Sequence, residues 1–267
     1  MGHKPYMFVK IASWNVNSLR TRLSHVRAWW AENSPDVLCL QETKVEDALF
    51  PAEQLADIAP HMAVFGQKSY NGVAILSRHP LSGVEKGFSA TGYAARGQAR
   101  LVRAQVLGVT VASVYVPNGE ALGSEKFAFK EEFYHQLGAE MQAVIAQNPK
   151  VALLGDFNIA ADERDVANPA RAVKDVLFTP AEQGWLRALQ TETGLTDALR
   201  LHNAEAGQYT WWDYRTYGRN PQSGMRIDYA FASRALAPQV HSVAHGGAER
   251  AKPQPSDHVP VVLTLAL

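Results

Sequence analysis

Short apolar runs separated by polar turns dominate this chain, and most of the runs are rich in β-branched residues. Such runs, bounded by turn-forming residues, are typical of β-strands. They predict strands within FVKIASWNV, DVLCLQE, MAVFGQ, GVAILS, ARLVRAQVLG, VTVASVYV, VALLGDFNI, RIDYAFAS and PVVLTLAL. Several successive strands are joined by connections too short for a crossover helix, which indicates mixed or antiparallel sheets.

Helical periodicity fills some of the gaps between these strands. In LSHVRAWWAENS one helical face carries Leu23, Val26, Trp29 and Trp30. Two further helices are predicted within EKFAFKEEFYHQLGAEMQAVIAQN and TPAEQGWLRALQTET, the latter with Thr179 as N-cap and Pro180 in its first turn. Because no linker divides the chain, we expect one domain over residues 7–267, built from two packed sheets with helices outside, and residues 1–6 as an extension.

Composition limits the classes of function. The 267 residues are 46% hydrophobic, which is enough for a substantial core. Lys plus Arg equals Asp plus Glu at 26 each, so any binding of a polyanion depends on a local patch. The single cysteine, Cys39, excludes an intramolecular disulfide framework. Since the chain lacks both a long apolar run and a secretory leader pattern, we expect a cytoplasmic protein with no membrane partner.

Polar side chains that can bind a metal or a phosphate stand at the ends of four predicted strands. These side chains belong to Asn15, Glu42, Asp156, Asn158, Asp257 and His258. Each one alone is more simply a turn residue, because Asp and Asn favour turns. Their joint occurrence predicts a shared site, since strand ends of mixed α/β folds meet at one crevice.

The chemistry of this set favours a magnesium phosphoesterase. Carboxylate and amide oxygens suit Mg²⁺, with Mn²⁺ as a possible substitute, better than they suit zinc. In such an enzyme Asp156 can activate water, while Asn158 and His258 donate to phosphate oxygens. Asp228 lies inside an apolar strand, where an unpaired acid is costly. Pairing with His258 would explain both residues, and a structural salt bridge is the alternative.

Seven segments of the chain resemble the exonuclease III family of abasic-site endonucleases, in the endonuclease/exonuclease/phosphatase superfamily. They are SWNVNSLR, DVLCLQETK, YNGVAILS, VYVPNG, LLGDFNIA, RIDYAFAS and SDHVPV, in the family's order from about Val9 onward. GDFN and SDH are shared with sphingomyelinases and inositol polyphosphate phosphatases, whereas NSLR, QETK and RIDY are more specific to this branch. The resemblance implies a DNase I-like, four-layer α/β sandwich of two mixed β-sheets flanked by helices.

The resemblance also implies an activity and its cofactor. It implies cleavage of double-stranded DNA 5′ to abasic sites in base excision repair, and processing of blocked 3′ ends by 3′-phosphatase, 3′-phosphodiesterase and 3′ to 5′ exonuclease activity. It implies Glu42 as the main Mg²⁺ ligand, with Asn15 and Asp257 near the metal. Some family accounts place Asp156 and Asn158 on a second metal ion.

An abasic nucleotide can be recognised when its sugar is flipped into a pocket too small and too apolar for a normal nucleotide. The family resemblance implies that Trp211, Met225 and Ile227 form this pocket. It also implies that Tyr115 touches the scissile phosphate, although a strand-end aromatic residue taken alone is more simply part of the core. Trp212 is equally well explained as a core residue.

Several basic or polar residues are candidate DNA contacts, because phosphates attract Lys and Arg. The main candidates are Arg96, Lys126, Arg215, Tyr217 and Arg219, and weaker ones are Arg100, Arg103, Lys130 and Thr216. We expect a monomer acting on DNA. Two alternatives stay open at this point: a superfamily enzyme that hydrolyses phosphoinositides or sphingomyelin, and an inactive DNA-binding relative.

Overall fold

Two six-stranded sheets form the centre of the protein in a computed structural model that describes residues 7–217 and 222–267. The first sheet has the order β11-β12-β1-β2-β4-β3 and contains β1 (Phe8–Asn15), β2 (Val37–Gln41), β3 (His61–Phe65), β4 (Val73–Ser77), β11 (Val240–His245) and β12 (Val261–Ala266). The second has the order β5-β6-β7-β8-β10-β9 and contains β5 (Ser82–Lys86), β6 (Leu101–Val106), β7 (Val109–Tyr115), β8 (Val151–Asp156), β9 (Thr196–Asp197) and β10 (Asp228–Ala232).

Both sheets are mixed, as the short connections predict. The pairs β1–β2 and β7–β8 are parallel, and the other pairs are antiparallel. All nine predicted strands are present. The three strands that the pattern misses, β5, β9 and β11, lie at sheet edges. β5 is exposed throughout, β9 has two residues, and β11 buries only Val240 fully, so none of them carries a buried apolar run.

The helices are α1 (Leu19–Asn33), α2 (Glu125–Gln147), α3 (Pro169–Ala172), α4 (Pro180–Thr193) and α5 (Tyr214–Tyr217). The three predicted helices correspond to α1, α2 and α4. Thr179 is the N-cap of α4, as predicted, and it forms a capping box with Glu182. Among the helices of the described residues, none combines the length and the hydrophobicity needed to cross a bilayer.

The central strands are buried on both faces, as a four-layer sandwich requires. In β1, Val9 and Ile11 belong to the core between the sheets, while Ala12 and Trp14 belong to the core beneath α1. A third apolar cluster lies between the second sheet and the helices α2 and α4. The order helix, sheet, sheet, helix therefore confirms the predicted architecture.

Candidate active site

The polar strand-end residues of both sheets meet at one edge of the sandwich. Asn15 ends β1 and Asp156 ends β8, whereas Asp228 begins the antiparallel β10. The amide nitrogen of Asn15 donates to Glu42 Oε1 and to Asp156 Oδ2, at 2.9 Å in both cases. Asn15 thus joins the first sheet to the second at the point where the acidic groups lie.

Three of the predicted groups lie close together, and two of them are carboxylates that can share one cation. Ligand atoms of Glu42, Asp156 and His258 all lie within 4.8 Å of one another. Glu42 follows β2 with a positive φ of 51°, and its carboxylate also pairs with Lys44 Nζ at 2.9 Å. The carboxylates of Glu42 and Asp156 are hard oxygen ligands of the kind that a divalent cation such as Mg²⁺ prefers.

Two predicted metal ligands have other partners in this arrangement. The Asp257 carboxylate accepts from Asn17 Nδ2 at 3.0 Å and from Trp211 Nε1 at 3.1 Å, and Asp257 is not in the group of three. The Asn15 side-chain oxygen accepts from the Asn17 backbone N–H at 3.0 Å. The structure therefore places Asn15 as a donor to the two carboxylates, and it places Asp257 beside the predicted lesion pocket.

Asp228 and His258 form the predicted pair. His258 Nδ1 lies 2.9 Å from Asp228 Oδ2, both side chains are buried, and His258 Nε2 lies 3.7 Å from Asp156 Oδ2. Burial alone would lower the pKa of His258, but Asp228 and Asp156 raise that pKa to about 10. The imidazole is therefore charged at neutral pH, and its Nε2 donor lies on the side of Asp156.

Asp156 lies at the centre of this network. Burial raises its pKa to about 7, with further contributions from Asp228 and Glu42, while His258 and Asn15 oppose the rise. A carboxyl group whose pKa lies near neutrality can accept a proton during a reaction. This geometry suits the predicted role of Asp156 in activating water.

Asn158 and Tyr115 flank Asp156 on the second sheet. Asn158 has a φ of 51°, its N–H donates to Asp156 Oδ1 at 2.9 Å, and its Nδ2 donates to Val116 O at 2.9 Å. Tyr115 is the neighbour of Asp156 across the β7–β8 pair. Burial raises the pKa of Tyr115 well above its ordinary value, and Glu42 adds to that effect, so the phenol stays a neutral donor.

Several residues that support the site were not singled out from the sequence. Lys44 Nζ donates to Asn17 Oδ1 at 2.5 Å, and the Thr210 hydroxyl accepts from the backbone N–H of Asp228 at 3.1 Å. Asn118 Nδ2 donates to Asn158 Oδ1 at 3.0 Å. Asn17, Lys44 and Asn118 fall inside the segments NSLR, QETK and VPNG, which would have pointed to them.

Two of the three residues predicted to form the lesion pocket line a cavity. A cavity of about 650 Å³ beside the acidic cluster is lined by Trp211 and Met225, together with Leu177 and Arg215. Ile227 is only 1% exposed and packs with Val166 and other apolar residues beneath this cavity. Its prediction as a wall residue is wrong, because its side chain is enclosed by Val166 and Phe178 and does not reach the cavity.

Some of the residues predicted to contact DNA are exposed in the structure, and others are buried. Arg96, Lys126 and Arg215 are exposed, and each pairs with an acidic neighbour, Glu132, Glu120 and Asp213 respectively. For Tyr217 and Thr216 the structure gives the backbone of α5 only, and Arg219 lies outside the described residues. Interpreting Arg103 and Lys130 as phosphate contacts is wrong, because both are buried in ion pairs with Glu140 and Glu182. The guanidinium of Arg100 lies over the Tyr115 ring, and its contact with phosphate stays a prediction.

Comparison with known proteins agrees with this geometry. The model of the Endonuclease/Exonuclease/phosphatase family matches residues 12–258. The chain belongs to this family. It is 33% identical over 265 residues to exodeoxyribonuclease III of Haemophilus influenzae, a match that covers 95% of this chain and 98% of that relative.

Solved structures of the family superimpose over almost the whole chain. The 3′ phosphatase NExo from Neisseria, solved with a product DNA hairpin, is 38% identical, with a TM-score of 0.92 over 97% of this chain and 100% of that chain. An AP endonuclease from Archaeoglobus fulgidus is 34% identical, with a TM-score of 0.90 and the same coverage. Within the family, the chain is therefore a nuclease of the exonuclease III and AP endonuclease type.

Proposed function

We propose that this protein is a Mg²⁺-dependent DNA repair nuclease that cleaves 5′ to abasic sites and removes blocking groups from 3′ ends, in base excision repair. The observation that carries the proposal is the placement of Asp156 between Glu42 and His258, whose ligand atoms lie within 4.8 Å of one another. Phosphodiester hydrolysis requires a metal ligand, a carboxylate base that activates water, and a charged group that donates a hydrogen bond to the phosphate.

Each residue has a distinct part in the proposed reaction. Mg²⁺ bound at Glu42 would supply positive charge for the phosphate and the leaving oxygen. Asp156 takes a proton from the attacking water, and Asn15 holds its carboxylate in place at 2.9 Å. His258 donates from Nε2 to a phosphate oxygen because Asp228 holds its Nδ1 proton. Asn158 and the neutral phenol of Tyr115 donate to the same phosphate.

The neighbouring cavity supports recognition of a nucleotide without a base. Trp211 and Met225 form an apolar wall of the cavity, next to the predicted phosphate position. The indole N–H of Trp211 donates to Asp257, which fixes the orientation of this wall. The groups that form the site come from both sheets of one chain, so we expect a monomer to be active.

A cleavage assay on matched substrates tests this function. Three duplexes carry an internal abasic analogue, a 3′-phosphate, or an undamaged recessed 3′ end, and each is incubated with Mg²⁺ or with EDTA. In Mg²⁺ only, we expect cleavage of the abasic duplex, removal of the 3′-phosphate, and slower digestion of the undamaged 3′ end. A Tyr115→Phe variant, which keeps the ring, should lower all three rates together.

If the protein did not cleave the abasic duplex but rapidly released phosphate from the duplex with a 3′-phosphate, it would be a 3′-end phosphatase. That result would overturn the abasic-site assignment. Hydrolysis of a phosphoinositide or of sphingomyelin with no action on DNA would favour the other superfamily activity. Binding of the duplexes without any turnover would identify an inactive DNA-binding relative.

A further inference from the structure

A pair of opposite charges lies buried behind the candidate active site. Lys130 of α2 and Glu182 in the first turn of α4 form an ion pair in which both side chains are 0% exposed. Removing two charges from water is costly, and apolar replacements of such pairs are often neutral or stabilising. A contribution to stability is therefore a weak explanation of this pair. Its contacts suggest that it positions residues of the site.

The Lys130 ammonium binds three separate segments of the chain. Its Nζ donates to the backbone carbonyl oxygens of Asn158 at 2.6 Å and Asn118 at 3.0 Å, and to the carboxylate of Glu182. An ammonium group has three N–H donors, so each of them has a partner here. Lys130 thereby links the loop after β7, the loop after β8 and the start of α4.

Two of these contacts converge on one residue of the site. Asn158 has a φ of 51°, a conformation that residues other than glycine adopt uncommonly. Lys130 holds the carbonyl group of Asn158, and it also holds the backbone of Asn118, whose side-chain Nδ2 donates to Asn158 Oδ1 at 3.0 Å. One buried ammonium thus fixes both the backbone and the amide of Asn158.

The partner carboxylate fixes the wall of the cavity. Glu182 accepts from the backbone N–H groups of Leu177 at 2.9 Å and Thr179 at 3.0 Å, and from the Thr179 hydroxyl at 2.8 Å. Leu177 lines the cavity and has a φ of 84°, which is strained for a leucine. The contacts of Glu182 hold this turn in its strained conformation.

We propose that Lys130 and Glu182 are a positioning pair, which sets the donor amide of Asn158 against the scissile phosphate and the turn at Leu177 against the flipped sugar. Neither residue touches the DNA in this role. The inference rests on the proposed function, because it assumes that Asn158 acts on the phosphate.

The first test removes the ammonium and keeps an unbranched side chain that is one heavy atom shorter. In Lys130→Met, kcat on the abasic duplex should fall roughly 10- to 100-fold, because small misplacements of a catalytic group have effects of this size. KM should change by less than about threefold, since the DNA contacts are intact. Circular dichroism and urea unfolding of the same samples measure how much of the chain stays folded.

The double variant Lys130→Met/Glu182→Gln separates positioning from stability. Lys130→Met leaves the Glu182 charge buried without its cation, whereas the double variant removes both charges and keeps an oxygen acceptor for the turn at Leu177 and Thr179, so it should be more stable than Lys130→Met. Under the proposal its kcat stays low despite this gain in stability. Recovery of kcat together with stability would show that the pair is merely structural.

The chain offers a closely matched control in Arg103 and Glu140. Glu140 also has a fully buried side chain, and it pairs with Arg103 Nη1 of strand β6 at 2.6 Å. Its carboxylate accepts from the backbone N–H groups of Ala90 and Thr91 and from the Thr91 hydroxyl, much as Glu182 does in its own turn. No contact of this second pair reaches Asn158. Arg103→Met should therefore destabilise the fold as Lys130→Met does, while kcat stays within about twofold of the wild type.

A final comparison tests whether Lys130 acts through Asn158. In an Asn158→Ala background, Lys130→Met should lower kcat little further, because the group that it positions is already gone. An additive loss in that background would overturn the proposed route. An inactive wild type would overturn the proposed function itself, whereas an active wild type with Lys130→Met at full kcat would overturn the positioning pair alone.

Discussion

Asp228 and His258 form the buried pair on which the chemistry of the site depends. An acid in an apolar strand is costly unless it has a partner, and His258 Nδ1 lies 2.9 Å from the Asp228 carboxylate. The adjacent Asp257 has different partners, because neighbouring residues on extended chain point in opposite directions. His258 therefore faces Asp228, while Asp257 faces Asn17 and Trp211.

The charge of His258 depends on its partner, and Asp228→Asn tests this directly. Loss of the Asp228 charge should lower the pKa of His258 from about 10, because Asp228 is the largest influence that raises it. Titration of the imidazole by NMR in metal-free buffer measures this pKa. The same variant should depress turnover while the circular dichroism spectrum stays that of the wild type.

The pair also predicts how stability depends on pH. Because the pKa of His258 is raised above its ordinary value of 6.5, its contribution to stability is fully present below pH 6.5 and is lost as the pH rises toward 10. Between pH 6 and pH 9 in EDTA, the free energy of unfolding of the wild type should therefore fall more than that of Asp228→Asn. Equal slopes in the two proteins would contradict the pairing.

At the scale of elements, the strands with buried apolar runs were predictable and the edge strands were not. An edge strand such as β5, which is exposed along its whole length, has no buried face that would impose a pattern. The same limit applies to the cavity wall. Met225 and Ile227 are two residues apart and would share one face of an extended segment, so the sequence could not show that Met225 lines the cavity while Ile227 is buried beneath it.

Gly155 in β8 fixes the register on which the site depends. A Cβ atom at this position would lie 1.9 Å from the Val114 carbonyl oxygen in β7, one residue before Tyr115 and Asp156. Gly155→Ala should therefore destabilise the fold by at least about 2 kcal/mol, because neither backbone can move without breaking the pair. Urea unfolding measures this change.

Gly184 in α4 is the control for that substitution. A Cβ added there meets no atom within 4 Å beyond its chain neighbours and the backbone of its own helix, so Gly184→Ala should stabilise the protein by up to about 1 kcal/mol through helix propensity. If Gly155→Ala were as stable as the wild type, the close packing of β7 against β8 would be refuted.

At the scale of the whole molecule, the sequence predicted the sandwich because two independent signals agreed. The strand pattern indicated two packed sheets, and the order of the seven segments indicated the family. The DNA-binding surface was not predictable in the same way, since charge alone does not reveal exposure. Lys130 and Arg103 carry the positive charge expected of phosphate contacts. Both are nevertheless buried in ion pairs that only the packing of α2 against its neighbours creates.

The claim that one cation site at this sheet edge drives DNA cleavage can be tested with a single titration. Initial rates of cleavage of an abasic duplex are measured against Mg²⁺ concentration for the wild type and for Glu42→Gln, which keeps the shape of the side chain but removes its charge. We expect no cleavage in EDTA, saturation of the wild type with Mg²⁺, and a half-saturating Mg²⁺ concentration at least about tenfold higher for Glu42→Gln. Identical Mg²⁺ dependence in the two proteins, or cleavage by the wild type in EDTA, would contradict the account.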